Sequence, residues 1–199
     1  MQLLPIALVL TLTGQPIYDQ GGDPRQFYEA GKYQEAVETA NAQENAPPEH
    51  LYFGGLAALK QNRPDEARQL FERLAQSRGG DPWGKVGASA AAQAGGNLEA
   101  ALQAANEAAQ QGSGLSYAHY QLGLVRAQME DHNGAAEAFE RAASIEPNFA
   151  YAHYHAGLEN SKLKHLDKMA THFEYFLKLA PQAPERPGVA SIMQTMRGR

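Results

Sequence analysis

His153 and His155 stand two residues apart with Glu159 and Asp167 close behind, so the first chemistry to test is metal ligation or general acid–base catalysis. On a helix, two residues turn the imidazoles roughly 200° apart, which denies them a common ion. His119 and His153 occupy equivalent places in two similar stretches and read as packing residues, while His132 and His165 fall in turn-like sequence. The 199 residues include seven histidines and no cysteine, which excludes thiolate metal sites, iron–sulfur clusters, disulfides and cysteine nucleophiles together. Gly-x-Ser-x-Gly elbows, Gly-Lys-Ser/Thr phosphate loops and His-Glu-x-x-His helices do not occur. The expectation is a protein without catalytic residues, bound metal or cofactor. Seventeen basic against twenty-two acidic residues give a net charge of -5, the wrong sign for a protein that binds by neutralising phosphates, so nucleic acid is not expected as a partner.

What the chain does have is periodicity. Ser116 to Leu124 and Ala150 to Leu158 agree at six of nine positions, displaced by 34 residues. Gly55, Gly123 and Gly157 keep the same frame, with Ser89 in the missing slot. Ala67, Ala101 and Ala135 follow it, as do Phe71, Phe139 and Phe173 with Ala105 at the skipped place, and Pro147 with Pro181. Four registers stand in phase, 48–81, 82–115, 116–149 and 150–183, and a self-similarity of this length is the signature of a helical solenoid. Small residues let paired helices approach within about 8–10 Å, and a large ring fills the space beside them. Asn62-Arg63-Pro64, Gly95-Gly96-Asn97 and Asp131-His132-Asn133 supply turn and capping residues between the two helices of a pair.

The pattern resembles the tetratricopeptide repeat, whose marks in 116–149 are His119, Leu122, Gly123, Ala135, Phe139, Ala142 and Pro147. In 150–183 the corresponding residues are His153, Ala156, Gly157, Met169, Phe173, Phe176 and Pro181. Upstream, Gly31-Lys32-Tyr33-Gln34-Glu35-Ala36 resembles the family's turn into a second helix, so 24–47 reads as a partial first repeat. Downstream, Val189, Ile192, Met193 and Met196 make one apolar stripe on a closing helix within 184–199. The resemblance implies an all-α, right-handed solenoid of antiparallel helix pairs with a C-terminal capping helix.

It also implies where a ligand lies. In this family the first helix of each pair lines the concave face, and here that face carries Tyr52, Leu56 and Lys60, then Trp83, then Tyr117, Tyr120, Leu124 and Gln128, then Tyr151, Tyr154, Leu158 and Lys162. The only Trp and five of nine Tyr fall on it, and such rings are common anchors of peptide recognition. The expected partner is another protein or peptide held in the groove; the alternative is a fixed subunit or assembly factor of an envelope machine. Val86, Ala90, Tyr120, Leu124, Tyr154 and Leu158 stand where carboxylate-clasping members of the family carry Lys and Asn, so a C-terminal carboxylate is not the expected ligand.

Two further features concern location. Leu3 to Leu12 is an uncharged run of ten ending in Thr13-Gly14-Gln15-Pro16, the size of a signal-peptide core and about half of a membrane span. Residues 1–14 are therefore expected to be a signal peptide and 15–23 a flexible lead-in, giving a product exported to the periplasm or envelope; a cytoplasmic protein is the alternative. Charge is uneven, -8 over 1–149 and +3 over 150–199, which reads as a solvated surface or a peripheral docking patch for the envelope.

Overall fold

The computed structural model describes residues 22–197, and among these the regular structure is helical without a strand. The expected signal peptide and most of the lead-in lie outside the described residues. Eleven helices follow in order: α1 (Pro24–Glu29), α2 (Tyr33–Ala42), α3 (Pro48–Lys60), α4 (Pro64–Ser77), α5 (Pro82–Ala94), α6 (Leu98–Gln111), α7 (Ser116–Gln128), α8 (His132–Ile145), α9 (Ala150–Lys162), α10 (Leu166–Leu179) and α11 (Arg186–Arg197). Each helix packs mainly on its chain neighbours, so the fold is a solenoid of antiparallel pairs. Helix starts at 48, 82, 116 and 150, and at 64, 98, 132 and 166, carry the 34-residue frame into three dimensions.

Local chemistry sets these boundaries. Pro24, Pro48, Pro64 and Pro82 open α1, α3, α4 and α5, where a missing N–H leaves no bond unmade. Asp23, Asp81, Asn97 and Asp131 cap α1, α5, α6 and α8 by accepting from first-turn amides. Within every pair the residue two before the second helix is left-handed: Gly31, Asn62, Gly96, Glu130 and Lys164, with φ between 57° and 80°. Gly and Asn adopt that conformation readily. Glu130 and Lys164 do so at a cost of about 1 kcal/mol each, so the turn geometry is imposed by the helices it joins.

The steric rule at the centre of each pair is visible at three glycines. A Cβ on Gly55 would lie 2.3 Å from the Phe71 ring, one on Gly123 2.6 Å from Phe139 and one on Gly157 2.5 Å from Phe173. In the second full repeat Ser89 and Ala105 replace the Gly–Phe pair, and the Ser89 hydroxyl donates to the Ala101 carbonyl at 2.9 Å instead. Met169 and Phe176, which stand in 150–183 where the repeat has alanine, are both buried. On α11, Val189 and Met193 are buried against the stack, whereas Ile192, expected on the same stripe, is 40% exposed.

Gly123→Val is expected to lower stability by about 1–3 kcal/mol, because the Phe139 ring it strikes is fully buried and has nowhere to move. Adding Phe139→Leu should return part of that loss in a double-mutant cycle read by urea unfolding. Additive losses would show that the Gly–Phe contact is not what governs the approach of α7 and α8.

Candidate functional site

The inner helices α3, α5, α7 and α9 present the residues expected to line an open groove, and the structure divides them. Tyr52, Tyr120 and Tyr151 are fully buried, Tyr117 is 4% exposed and Leu56 7%. Half-buried or exposed are Lys60, Trp83, Leu124, Gln128, Tyr154, Leu158 and Lys162. Of the residues expected on the concave face, Tyr52, Leu56, Tyr117, Tyr120 and Tyr151 are therefore packed into the core, and the other seven keep surface in contact with solvent. The tyrosine rings pack edge to face or tilted against one another and against Phe53, Phe149 and Phe176, and two segments from the ends of the chain close over them.

The first segment is α1. Tyr28 is buried between Phe53 and Tyr151, with ring centroids 5.7 and 4.9 Å away. Arg25 reaches across to the third full repeat. Its guanidinium donates to the Tyr117 hydroxyl at 2.8 Å, to the Asn148 carbonyl at 3.1 Å and to the Glu146 carboxylate, while Nε pairs with Glu29 at 3.0 Å. The same group lies 4.7 Å from the centre of the Phe149 ring and 5.9 Å from those of Phe53 and Tyr117. Burial opposes the charge of Arg25, but Tyr117, Glu146 and Glu29 outweigh it and raise the affinity for the proton further. Sequence reading missed Arg25 because nothing in a lone arginine near a helix start points 121 residues away.

The second segment follows α10. Glu185 accepts from the Tyr151 hydroxyl at 2.5 Å and from Lys60 at 2.8 Å, joining α9 to α3. Burial works against the charge of this carboxyl, but the two donors outweigh it and hold the group below the ordinary carboxylate range. Gly31 sits so close beneath Pro184 that a Cβ would come within 2.5 Å of it. The two ends of the solenoid thus meet across its inner wall. Deeper in, the Tyr52 hydroxyl donates to Gln121 Oε1 at 2.9 Å, and the Gln121 amide donates to Ser89 and Gln93 at 3.2 and 2.8 Å.

The histidines act as structural donors. His119 Nε2 lies 3.2 Å from the Ser113 carbonyl and His153 Nε2 lies 3.1 Å from the Pro147 carbonyl, the same bond one repeat apart. Carbonyls only accept, so both rings carry a proton on Nε2. His153 Nδ1 is then free to accept from His172 Nδ1 at 3.1 Å, and its ring stacks on Tyr175. His132 donates to Glu159, a nearly buried carboxylate that also accepts from Lys162 at 2.8 Å. Among the described residues no three His, Asp or Glu side chains converge in a way that could hold a metal ion.

His155 faces the aromatic wall: it stacks on Phe139 at 5.1 Å and meets Tyr120 and Tyr154 at their edges. Burial, reinforced by Lys60 and Lys162, holds its imidazole down to about 3. Burial also lowers His119, His153 and His172. An unfolded chain binds these protons near pH 6.5 and the folded one does so only at lower pH, so stability is full above that value and drains as pH falls. His155→Phe should retain about 1–2 kcal/mol of the stability that the wild type loses between pH 7 and pH 5, read from urea midpoints at the two pH values. Equal losses in both proteins would assign the acid sensitivity elsewhere.

With this geometry established, known proteins can be set beside it. Residues 116–149 match the family model described as tetratricopeptide repeat. Comparison with curated proteins gives no match. Among solved structures, TTC0263, a thermophilic TPR protein of Thermus thermophilus, is 22% identical over 84% of this chain and 94% of its own, with a TM-score of 0.62. MamA is 21% identical over 79% of this chain and 94% of its own, with a TM-score of 0.50. At these identities the likeness is one of fold. Residues 116–149 are thus similar to one tetratricopeptide repeat, and the solenoid built around them has the fold that such repeat proteins share.

Proposed function

We infer that the chain is a non-enzymatic interaction module that holds a segment of another polypeptide against its inner wall. One observation carries the reading: Trp83, Leu124, Tyr154 and Leu158 stand on the inner helices partly open to solvent, while the residues around them are packed away. Leu124 and Leu158 occupy equivalent places one repeat apart, and Trp83 stacks on Tyr117 at 4.9 Å. A row of apolar side chains flanked by Lys60, Gln128 and Lys162 suits an extended or helical peptide, its apolar residues on the row and its polar groups at the helix ends. Recognition by pre-positioned aromatic and aliphatic groups requires no chemistry beyond burial and hydrogen bonding. The apolar run Leu3 to Leu12 supports placing this activity in the cell envelope.

Affinity purification of the full chain from its host tests the reading when the wild type is compared with Trp83→Ala/Leu124→Ala/Leu158→Ala. A triple variant that retains the helical circular dichroism of the wild type should recover its partner about tenfold less well, or lose it. Undiminished capture would remove the inner wall from partner binding. A complex that keeps fixed stoichiometry through purification would identify the chain as a permanent subunit of a larger assembly.

A further inference from the structure

The group that closes the inner wall is a guanidinium, and its surroundings are unusually complete for a contact within one chain. Phe53, Tyr117 and Phe149 pack on one another and on Tyr52 and Tyr120, so the three rings around Arg25 are also held by contacts that do not involve α1. Glu146 is held in place independently: its second carboxylate oxygen accepts from the buried Ser116 hydroxyl at 2.6 Å. The Asn148 carbonyl and the Tyr117 hydroxyl complete a set of acceptors around a planar cation. A pocket of aromatic faces, one oriented carboxylate and a backbone carbonyl is a receptor for arginine.

Its occupant belongs to a short element. α1 has six residues, too few to persist as a helix alone, and it packs on α2 and α3 without belonging to the repeats that form most of the pocket. Pro24, Arg25 and Tyr28, together with the partly buried Phe27, hold it against the stack. The pocket is also continuous with the row that remains open, because Tyr117 is at once a wall of the pocket and the ring on which the half-buried Trp83 stacks.

We propose that this pocket, formed by Phe53, Tyr117, Glu146 and Phe149, is the specificity site for the partner, that it takes an arginine of the bound segment, and that Arg25 of α1 is its competitor in the same chain. The proposal rests on the reading of the inner wall as a partner surface and adds the chemistry of the ligand. A partner segment that copies α1 would carry Arg followed three residues later by an aromatic side chain, which takes the place of Tyr28 between Phe53 and Tyr151. Binding then requires α1 to leave, so the free protein is self-inhibited.

The test uses the full chain with Arg25→Ala and two synthetic peptides, one with the sequence of residues 22–31 and one with alanine in place of its arginine. Titration calorimetry should show that the variant binds the first peptide about 30-fold more tightly than the second, the size of a buried arginine hot spot. The wild type should bind the first peptide more weakly than the variant does, because its own arginine competes. Adding Glu146→Gln to the variant should abolish the preference between the two peptides. Hydrogen exchange should show α1 amides released in the variant. Where Arg25→Ala does not fold, the wild type carries the test: excess arginine peptide should speed exchange at 24–29 and the alanine peptide should not. Equal binding of the two peptides, binding of neither by a variant whose α1 is released, or an α1 that stays protected without Arg25 each overturns the arginine site. The role of Trp83, Leu124 and Leu158 would still stand or fall on its own comparison.

Discussion

Everything in this protein depends on how closely two helices can approach at one point in each repeat. Gly55, Gly123 and Gly157 lie directly against Phe71, Phe139 and Phe173, at distances that leave no room for a methyl group. The missing side chain on one helix is filled by the ring of the other, so the pair locks in both separation and rotation. Each following pair inherits that orientation. The second full repeat shows what happens when the rule is relaxed: Ser89 and Ala105 meet without a ring between them, and a hydroxyl-to-carbonyl bond holds the pair. Ala101 and Ala105 then form a small cluster with Leu122, Val125 and Ala138, apart from the main core. That repeat has the thinnest apolar filling of the four.

Constraint on each pair fixes the curvature of the whole, and here the curvature brings the ends together. Arg25 reaches Glu146 and Asn148, Lys60 reaches Glu185, and Pro184 rests over Gly31. The inner wall consequently has two regions with different physics. One, around Tyr52, Tyr120 and Tyr151, is a closed aromatic core whose hydroxyls are bonded to internal partners or buried. The other, along Trp83, Leu124, Tyr154 and Leu158, keeps apolar surface in contact with water. A single arginine stands at the junction, surrounded by groups that would recognise any arginine placed there.

Histidine contributes to this architecture through neutrality. His119 and His153 each tie an inner helix to the turn before it, and His155 fills a flat slot beside Phe139. In all three places the neutral ring is the form that fits, since burial penalises the charged one. The repetition of the His-to-carbonyl bond at a 34-residue interval shows that a polar residue can be as much a part of a repeat as its glycine or its phenylalanine.

The sequence by itself determined the repeat: a period of 34, the Gly and Phe that set helix contact, and the caps that start helices at 81–82, 97–98 and 131–132 are all local or near-neighbour relations, readable because each repeat is in contact chiefly with the next. It also placed Trp83, Leu124, Tyr154 and Leu158 on the inner helices. What only the tertiary structure decided is which inner residues remain accessible. That depends on contacts such as Arg25 to Glu146, Tyr52 to Gln121 and Tyr151 to Glu185, which span 121, 69 and 34 residues. The first arises from the summed rotation of every helix pair between its partners. Small angles added from one helix pair to the next bring α1 onto the far wall, and no local pattern of residues encodes that sum.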